Sequence, residues 1–373
     1  MSVSVNGTNG LTFNDATTQN TSAFYGGLAM RNRIINGAMV IDQRNAGASV
    51  TLTATGFTYT LDRWSFYTSA SSKLTTQQNA GAVTPPSGFK NYLGATSSSA
   101  YSITSTDLFI IQQNIEGFNV ADLGWGTAAA QTITISFWVR SSLTGTFGGS
   151  IRNTNTSPNR AYPFTFTISA ANTWEQKTIT VAGDTSGTWG STNSDGLILA
   201  FGLGVGSTYS GTAGAWNGTT NIFGATGATS VVGTNGATFY ITGVQLEKGS
   251  TATSFDYRPY GTELALCQRY LPAVIAESTL DSLSNAVITS TTAAYVTLKH
   301  PVTARTRPTG VTASAANIIT VSGASVTSAI AFNNAGTEYT TLVLTSSGLT
   351  TGVAAATFMN TAGSKLLLTG CEL

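Results

Sequence analysis

Short stretches in which apolar and polar residues alternate recur along most of this chain, and they constrain its fold more than any other feature. In the clearest one, QTITISFWVRS at residues 131–141, the apolar side chains at every second position are Ile133, Ile135, Phe137 and Val139. A period of two residues places these side chains on one face of a β-strand. Similar stretches follow at short intervals, separated by Gly, Asn and Ser. Many short strands joined by such turns predict an all-β sandwich or jelly roll.

The composition predicts a folded chain that carries few charges. Charged residues make up 9% of the 373 residues, against about 25% in a typical soluble domain. Hydrophobic residues make up 41%, which argues against disorder, since disorder requires low hydrophobicity and high net charge. A net charge of +1 gives no field to attract nucleic acid. No apolar run approaches the roughly 18 residues of a membrane span. We therefore expect no nucleic-acid partner and no membrane insertion.

Histidine and cysteine are too sparse for most catalytic or metal sites. His300 is the sole histidine, which disfavours Ser-His-Asp and Cys-His arrangements and His-rich metal sites. Cys267 and Cys371 stand far apart and form no CxxC motif, so we predict buried free thiols. We expect no cofactor and no catalytic or metal-binding residues. Loop carboxylates leave structural calcium open, but no DxDxDG-type loop assigns ligands to it.

Paired carboxylates are the one catalytic arrangement that the sequence leaves open. Glycoside hydrolysis needs two acids at a set separation. Structural roles account for several of the acids, because Asp42 with Arg44 and Asp62 with Arg63 are expected to form ion pairs that fix turns. The sequence has no repeat of fixed period, so a long β-helix is not predicted. We therefore expect a protein that is not an enzyme.

Two separated regions carry a resemblance to a known class of proteins. The first comprises NRIINGAMVIDQRNAG at 32–47 and YTLDRWSFY at 59–67; the second is FYITGVQLEKGSTATSFDYRPYGTELALCQRYL at 239–271. Together they resemble phage tail-fibre and receptor-binding virion proteins, in which such signatures flank a carbohydrate-binding-module-like β-sandwich. The intervening order of ISFWVRSS, NTWEQKTITV, LILAFGLG and VQLE resembles family-4-like carbohydrate-binding modules. The resemblance implies a jelly-roll domain over 31–260.

Residues 1–30 are polar and rich in Gly, Asn and Thr. Their central part, GTNGLTFNDATTQNTSA, resembles the N-terminal segment of phage fibres, which implies that it anchors the chain to other virion proteins. Leu11 and Phe13 are the candidate anchor residues. A segment this short buries too little surface to fold alone. A free polar tail is the alternative interpretation.

GTELALCQRYL is the one convincing helix, and with Pro272 it forms a predicted linking helix over 261–272. Thr262 can cap it and Pro272 can end it. Leu264, Cys267 and Leu271 line one stripe at helical spacing. The stripe packs either on the sandwich or against copies of itself, and we favour the second, which makes these three residues oligomer-interface candidates. Strand patterns resume over 273–373 and predict a separate, smaller C-terminal β domain.

Aromatic residues divide into core residues and candidates for binding sugar, whose flat C–H faces stack on aromatic rings. Trp64, Phe66, Phe137 and Phe201 lie on strand faces and are expected in the core. The resemblance to carbohydrate-binding modules implies that Trp174, which opens a strand, is packed as well. The sugar-binding candidates lie in Gly-rich loops or opposite the apolar face of a strand, and they are Trp125, Trp138, Arg140, Trp189, Tyr209 and Trp216. For each loop aromatic, a latch over a loop or a contact between subunits is the alternative.

The sequence thus predicts a virion protein assembled in the host cytoplasm. The favoured hypothesis is a homotrimeric tail fibre or receptor-binding appendage that attaches to a host-surface glycan. A head-decorating, collar or cement protein is the first alternative, and a glycan-cleaving tail spike is the second.

Overall fold

The computed structural model describes most of the chain. The described residues are 30–53, 55–154, 159–218, 221–314, 318–320 and 325–373, with three short strands before them. Leu11 lies on the second of these strands, and Phe13 lies outside the described residues.

The described part is all-β apart from one α-helix and three short 3-10 turns, at Ala80–Ala82, Gly117–Asn119 and Ala121–Leu123. The strands up to the end of the sandwich are β1 (Ser4–Asn6), β2 (Gly10–Thr12), β3 (Thr18–Gln19), β4 (Val50–Thr51), β5 (Gly56–Leu61), β6 (Trp64–Thr68), β7 (Leu74–Gln78), β8 (Leu93–Ser97), β9 (Leu108–Glu116), β10 (Ile133–Ser141), β11 (Gly145–Arg152), β12 (Ala161–Ile168), β13 (Glu175–Val181), β14 (Asp195–Val205), β15 (Ser210–Gly211), β16 (Gly224–Ala225) and β17 (Thr238–Lys248).

Two six-stranded sheets form a jelly-roll sandwich. One sheet has the order β13-β10-β17-β8-β7-β4, and the other has the order β12-β11-β14-β9-β6-β5. The sandwich pairs are antiparallel, and the chain crosses repeatedly from one sheet to the other. The two short strands β15 and β16 pair in parallel, and the preceding β1, β2 and β3 form a small antiparallel sheet.

The alternating apolar side chains fill the space between the two sheets, as the sequence predicts. Trp64, Phe66, Phe137 and Phe201 are fully buried there. The rings of Phe137 and Phe201 meet edge to face with centroids 5.0 Å apart. Burial of large apolar side chains on this scale is the main stabilising contribution to such a fold.

The signature YTLDRWSFY is a β-hairpin and not one continuous strand. Leu61 pairs with Trp64, so that Asp62 and Arg63 form the turn between β5 and β6. Arg63 has a positive φ of 69°. Trp64 still points into the core because the turn preserves the alternation along β6.

The C-terminal domain consists of two packed sheets. Its strands are β18 (Ala273–Ile275), β19 (Asp281–Ser290), β20 (Ala293–Lys299), β21 (Gly310–Ser314), β22 (Ile318–Thr320), β23 (Ser325–Val326), β24 (Ala329–Ala335), β25 (Tyr339–Thr345), β26 (Ala354–Met359) and β27 (Lys365–Thr369). A three-stranded sheet, β18-β27-β21, covers one face of a seven-stranded sheet, β23-β22-β26-β19-β20-β25-β24. Aliphatic side chains from both sheets, including Ile288, Leu342 and Leu366, form the core between them.

Helix α1 (Tyr260–Gln268) packs on the sandwich of its own chain. Cys267 contacts a cluster that contains Ile35, Ile41 and Tyr270, and it is 1% exposed. Leu271 lies just beyond the helix and is equally buried, against β18 and β27.

The position of α1 corrects the expectation that its apolar stripe faces a symmetry axis. Cys267 and Leu271 have no surface to offer to another copy, and Leu264 is half-buried beside Ile35. Thr262 lies inside the first turn rather than at the cap, which is Pro259, and the helix ends before Pro272. The stripe is therefore satisfied within one chain.

The signature segment 32–47 has a structural role, because Asn36 within it forms hydrogen bonds to several parts of the fold. The side chain of Asn36 donates to the carbonyls of Ile41 and Asp62 and accepts the backbone N–H of Ile41. Its carbonyl accepts the indole N–H of Trp64, and its own N–H donates to Glu263 of α1. Asn36 also has a positive φ of 58°, a conformation that asparagine tolerates better than most residues.

A buried ion cluster joins the C-terminal residues to the sandwich. The carboxylate of Glu372 pairs with the guanidinium groups of Arg44 and Arg63. Arg63 lies with its Cζ 3.6 Å from the ring centroid of Tyr270, whose hydroxyl donates to Glu116 at 2.6 Å. These contacts connect the sandwich, the segment after α1 and the end of the C-terminal domain.

Candidate functional site

The outer face of the sheet that contains β10 carries the candidate site. On β10 the side chains opposite the core are Thr134, Ser136, Trp138 and Arg140. The segment 249–257 crosses part of this face and buries Gln245, whose Oε1 accepts the N–H of Asp256 at 2.8 Å. Ser136 is buried as well. The accessible part of the face is therefore a band around Trp138, Arg140 and the edge strand β13.

Trp138 differs from the other five tryptophans in its hydrogen bonding. The indole Nε1–H groups of Trp64, Trp125, Trp174, Trp189 and Trp216 each donate to a backbone carbonyl, at 2.7–3.1 Å. Within the part of the chain that the structure describes, the Nε1–H of Trp138 donates to no protein acceptor. The ring is half-buried on the sheet. It offers an aromatic surface and a free donor together, which is the combination that a polar ligand with apolar faces requires.

Arg140 lies two residues further along the same face and is held in place by two contacts. Its Nε donates to the carbonyl of Asn172 at 2.9 Å, and its Cζ lies 5.5 Å from the ring centroid of Tyr240. Among the described residues its Nη groups have no protein acceptor. Two fixed points restrain the side chain while leaving its terminal donors available, which lowers the entropy lost when a ligand is bound.

Gln176 on β13 completes the polar part of the site. It pairs directly with Trp138 in the antiparallel register, and it is exposed. Side chains opposite each other in such a pair have Cβ atoms about 5 Å apart and share a face of the sheet. The Gln176 amide therefore supplies a donor and an acceptor beside the Trp138 ring. Trp138, Arg140 and Gln176 are called the Trp138 site below.

An aromatic cluster borders the Trp138 site on the β17 side. Phe89, Phe255 and Tyr257 contact each other with ring centroids 4.8–5.5 Å apart, and Tyr257 is 53% exposed. Gly243, at a bulge in β17, has a φ of 61°, and a Cβ there would lie 2.6 Å from Phe89 and 3.2 Å from Trp138. Glycine at this position allows the cluster and the Trp138 ring to approach the same stretch of backbone.

The structure brings Trp125, Trp189 and Trp216 together, although the sequence predicted them only as separate loop aromatics. Their rings meet edge to face with centroids 4.6–5.6 Å apart. Trp125 is 8% exposed, and all three N–H groups are bonded to carbonyls. This geometry is that of a packed latch at one end of the sandwich, the alternative interpretation given above.

Tyr209 lies apart from the other predicted sugar-binding residues. It packs edge to face on Phe223, at 5.8 Å, over the outer face of the other sheet. Of the six predicted sugar-binding residues, Trp138 and Arg140 therefore lie together on the outer face of the β10 sheet, whereas Trp125, Trp189 and Trp216 pack on one another elsewhere. Trp174, which was predicted to pack, is half-buried beside Tyr92. It lies outside the main core, on the outer face of the sheet that contains β10.

Sequence reasoning missed Gln176, Tyr240 and the Phe89 cluster. The alternation in EQKTITV and FYITG could have placed Gln176 and Tyr240 on outer faces. No local pattern could have brought Phe89 next to Tyr257, because the two are distant in the chain and meet only after the segment 249–257 folds back over the sheet.

The two ion pairs predicted to fix turns do not form. Asp42 accepts the backbone N–H groups of Asn45 and Gly47, at 2.8 and 2.7 Å, and Arg44 pairs with Glu372 instead. Asp62 accepts the backbone N–H of Gln43 at 2.7 Å and the Gln43 side-chain amide at 2.6 Å. Burial raises the pKa of Asp62 to about 6, and the Gln43 hydrogen bonds oppose this rise.

Several other titratable side chains among the described residues form hydrogen bonds within the fold. Burial works against ionisation of Glu116, but hydrogen bonds from Arg269 and Tyr270 leave its pKa below the usual range. Asp184 accepts two hydrogen bonds from Arg160, at 2.6 and 2.7 Å. His300 is buried, and its ring nitrogens lie 2.9 Å from the Thr337 carbonyl and 2.8 Å from the Thr340 hydroxyl.

Within the described ranges, no three His, Cys, Asp or Glu side chains form a group that could hold a metal ion. Cys267 and Cys371 are free and buried, as predicted. No helix in the same part of the chain is long and apolar enough to cross a membrane.

Comparisons with known proteins return solved structures at low identity. No family model matches the sequence, and no curated protein matches it. A CBM4 structure is 17% identical over 57% of this chain and 98% of its own, with a TM-score of 0.28. A family 11 carbohydrate-binding module from Clostridium thermocellum, in complex with a mixed-linked tetrasaccharide, is 13% identical over 55% of this chain and 100% of its own, with a TM-score of 0.27.

A phage protein is among the similar structures. The enzymatically active domain of tailspike protein 4 from bacteriophage CBA120 is 12% identical over 58% of this chain, with a TM-score of 0.29. The match spans 21% of that tailspike chain. All three TM-scores are below 0.5, so these similarities do not indicate what this chain binds.

Proposed function

We propose that this chain is a non-enzymatic attachment protein of a virion, and that it binds a host-surface glycan at the Trp138 site. The observation that carries the glycan part is the indole N–H of Trp138, which donates to no described residue, beside the Nη groups of Arg140, which likewise have no described acceptor, and the amide of Gln176. A sugar ring offers C–H faces to the indole and hydroxyls to the three polar groups. The virion part is supported by the two signature segments, which resemble those of phage fibres.

A weak site is sufficient for attachment when several copies act together. A millimolar dissociation constant corresponds to about 4 kcal/mol of binding free energy. Linking sites in one oligomer raises the overall avidity by roughly a hundred- to ten-thousandfold. A homotrimer anchored to other virion proteins through residues 1–30 would therefore adhere to a glycan-coated surface without a deep pocket.

Binding to a panel of purified neutral and acidic bacterial surface polysaccharides tests the glycan part. We expect Trp138→Ala to abolish binding, because it removes the stacking surface and the free donor together. The matched control is Trp216→Ala, since that indole is also half-buried but its N–H is bonded to the Ala182 carbonyl. The control should lower stability and keep binding. A folded Trp138→Ala variant with unchanged affinity would refute the site.

Two further measurements separate the alternatives. Electron microscopy of labelled particles distinguishes a tail appendage from a head-decorating, collar or cement protein. Release of reducing ends from a bound polysaccharide would identify a glycan-cleaving spike and contradict the non-enzymatic part of the proposal.

A further inference from the structure

Arg140 supplies the only available charge on the outer face of β13, β10 and β17. Among the described side chains that alternation places on this face, the other charged one is Glu247. Glu247 is 3% exposed and accepts hydrogen bonds from the Gln245 amide at 2.9 Å and from the Thr253 N–H and hydroxyl at 2.8 and 2.7 Å. It lies opposite Thr134, at the other end of β10 from Arg140. The Trp138 site is therefore positively charged.

Two further carboxylates on neighbouring segments are bonded to other groups. Glu175, the first residue of β13, pairs with Lys177 at 2.5 Å and accepts the backbone N–H of Ser169 at 2.8 Å. The hydrogen bond from Lys177 leaves the pKa of Glu175 below its usual value. Asp256, in the segment that crosses the face, accepts the backbone N–H of Asn32 at 3.2 Å. Neither carboxylate is hydrogen-bonded to the guanidinium of the Trp138 site.

The bonding of Arg140 differs from that of most arginines in the described ranges. Six of them pair with a carboxylate, namely Arg33, Arg44, Arg63, Arg160, Arg258 and Arg269. Arg140 is half-buried and is fixed by a carbonyl and an aromatic ring, neither of which carries a negative charge. A guanidinium has five donors in a planar fork and no acceptor. An oxyanion matches this fork with two parallel, charge-assisted hydrogen bonds, each about twice as strong as a neutral one.

We propose that the glycan bound at the Trp138 site is acidic, and that Arg140 binds its carboxylate or phosphate group while a sugar ring stacks on Trp138. The two residues are neighbours on one strand face, with Cα atoms about 7 Å apart. One sugar ring with an exocyclic acid group spans that separation. Gln176, opposite Trp138, remains available to the sugar hydroxyls. This inference rests on the proposed function and adds the chemical class of its ligand.

Binding of the full chain to the same polysaccharide panel, before and after chemical removal of the acid groups, tests the inference. The wild type is expected to bind an acidic polysaccharide. Carboxyl reduction, or dephosphorylation where the acid is a phosphate, keeps the sugars and should weaken binding at least tenfold. The treatment that is effective identifies which oxyanion is bound. Added salt should weaken wild-type binding as well, because a partly exposed ion pair is screened.

The ratio of the affinities for the acidic and the treated polysaccharide separates ligand binding from a structural role of Arg140. Arg140→Gln should bring this ratio close to one, whereas loss of the Asn172 contact alone would weaken both affinities alike. Arg140→Lys keeps the charge without the fork and should retain part of the preference. Arg307→Gln is the control, because it removes the same charge from an exposed arginine of the C-terminal domain and should leave the ratio unchanged.

The outcomes distinguish failure of this inference from failure of the proposed function. Binding to a neutral polysaccharide that Trp138→Ala abolishes and Arg140→Gln leaves unchanged would overturn the acidic class and keep the glycan site. A wild type that binds no member of the panel would overturn both. A preference for the acidic form that persists in Arg140→Gln would assign the oxyanion to another cation, such as the exposed Lys90 next to Phe89, and would refute the role of Arg140.

Discussion

Removing the charge of Glu372 should destabilise the fold, because this carboxylate pairs with two arginines. Glu372 accepts a hydrogen bond from Arg44 at 2.8 Å and pairs with Arg63, whose side chain is 1% exposed. Burial alone would lower the pKa of Arg63, but the Glu372 carboxylate more than offsets this effect and raises it. Glu372→Gln leaves a buried guanidinium without its counter-charge.

The magnitude follows from the burial of the pair. Breaking a buried ion pair by removing one partner costs about 3–5 kcal/mol. The lower end applies here for three reasons: the glutamine keeps an acceptor, Arg63 still donates to the Asn114 carbonyl at 2.5 Å, and Glu372 itself is 13% exposed. We therefore expect a loss of about 3 kcal/mol of unfolding free energy.

Urea unfolding at pH 7, followed by circular dichroism, measures this loss. Asp122→Asn is the control, because Asp122 is 46% exposed and pairs with Arg33 and Lys248 at the surface. Such pairs contribute at most about 1 kcal/mol, and less in high salt. Equal losses for the two variants, or a loss below about 0.5 kcal/mol for Glu372→Gln, would refute the role of the buried ion cluster.

Three further predictions concern single side chains. Because the pKa of Asp62 is raised in the folded protein, its protonated form stabilises the fold below about pH 4, and this contribution is lost as the pH rises to about 6. Relative to Asp62→Asn, the wild type should lose about 3 kcal/mol of unfolding free energy between these two pH values. Urea titration at each pH measures the loss. Trp125→Ala should cost about 3–5 kcal/mol without changing glycan affinity, as thermal unfolding and binding assays would show. Gly37→Ala should prevent folding, judged by near-UV dichroism, because its Cβ would lie 2.1 Å from the Val244 carbonyl oxygen.

The sequence alone was sufficient to predict the all-β class and much of the sandwich core. In QTITISFWVRS, the two-residue period determines which side chains share a face, and Phe137 and Ile135 are buried as that period requires. Alternation also placed Trp138 and Arg140 opposite the core. These predictions succeed because strand geometry is local and depends on neighbouring residues only.

The tertiary structure decided which of the predicted aromatics are available to a ligand. Trp125, Trp189 and Trp216 have the loop setting expected of a sugar platform, yet their N–H groups bond to carbonyls and their rings pack together. Trp138 retains a free donor only because of how neighbouring strands and the segment 249–257 lie around it. Hydrogen-bond satisfaction depends on groups that are distant in the chain, so local pattern carries no information about it.

The helix stripe illustrates the same limit. Helical spacing predicts that Leu264 and Cys267 share a face, but spacing cannot choose between burial in the same chain and contact with another copy. The loop at Ile35 and Ile41 covers the helix within the same chain. The spacing of apolar residues in the sequence therefore determines which side chains share a face. Only the packing of segments that are distant in the chain determines what covers that face.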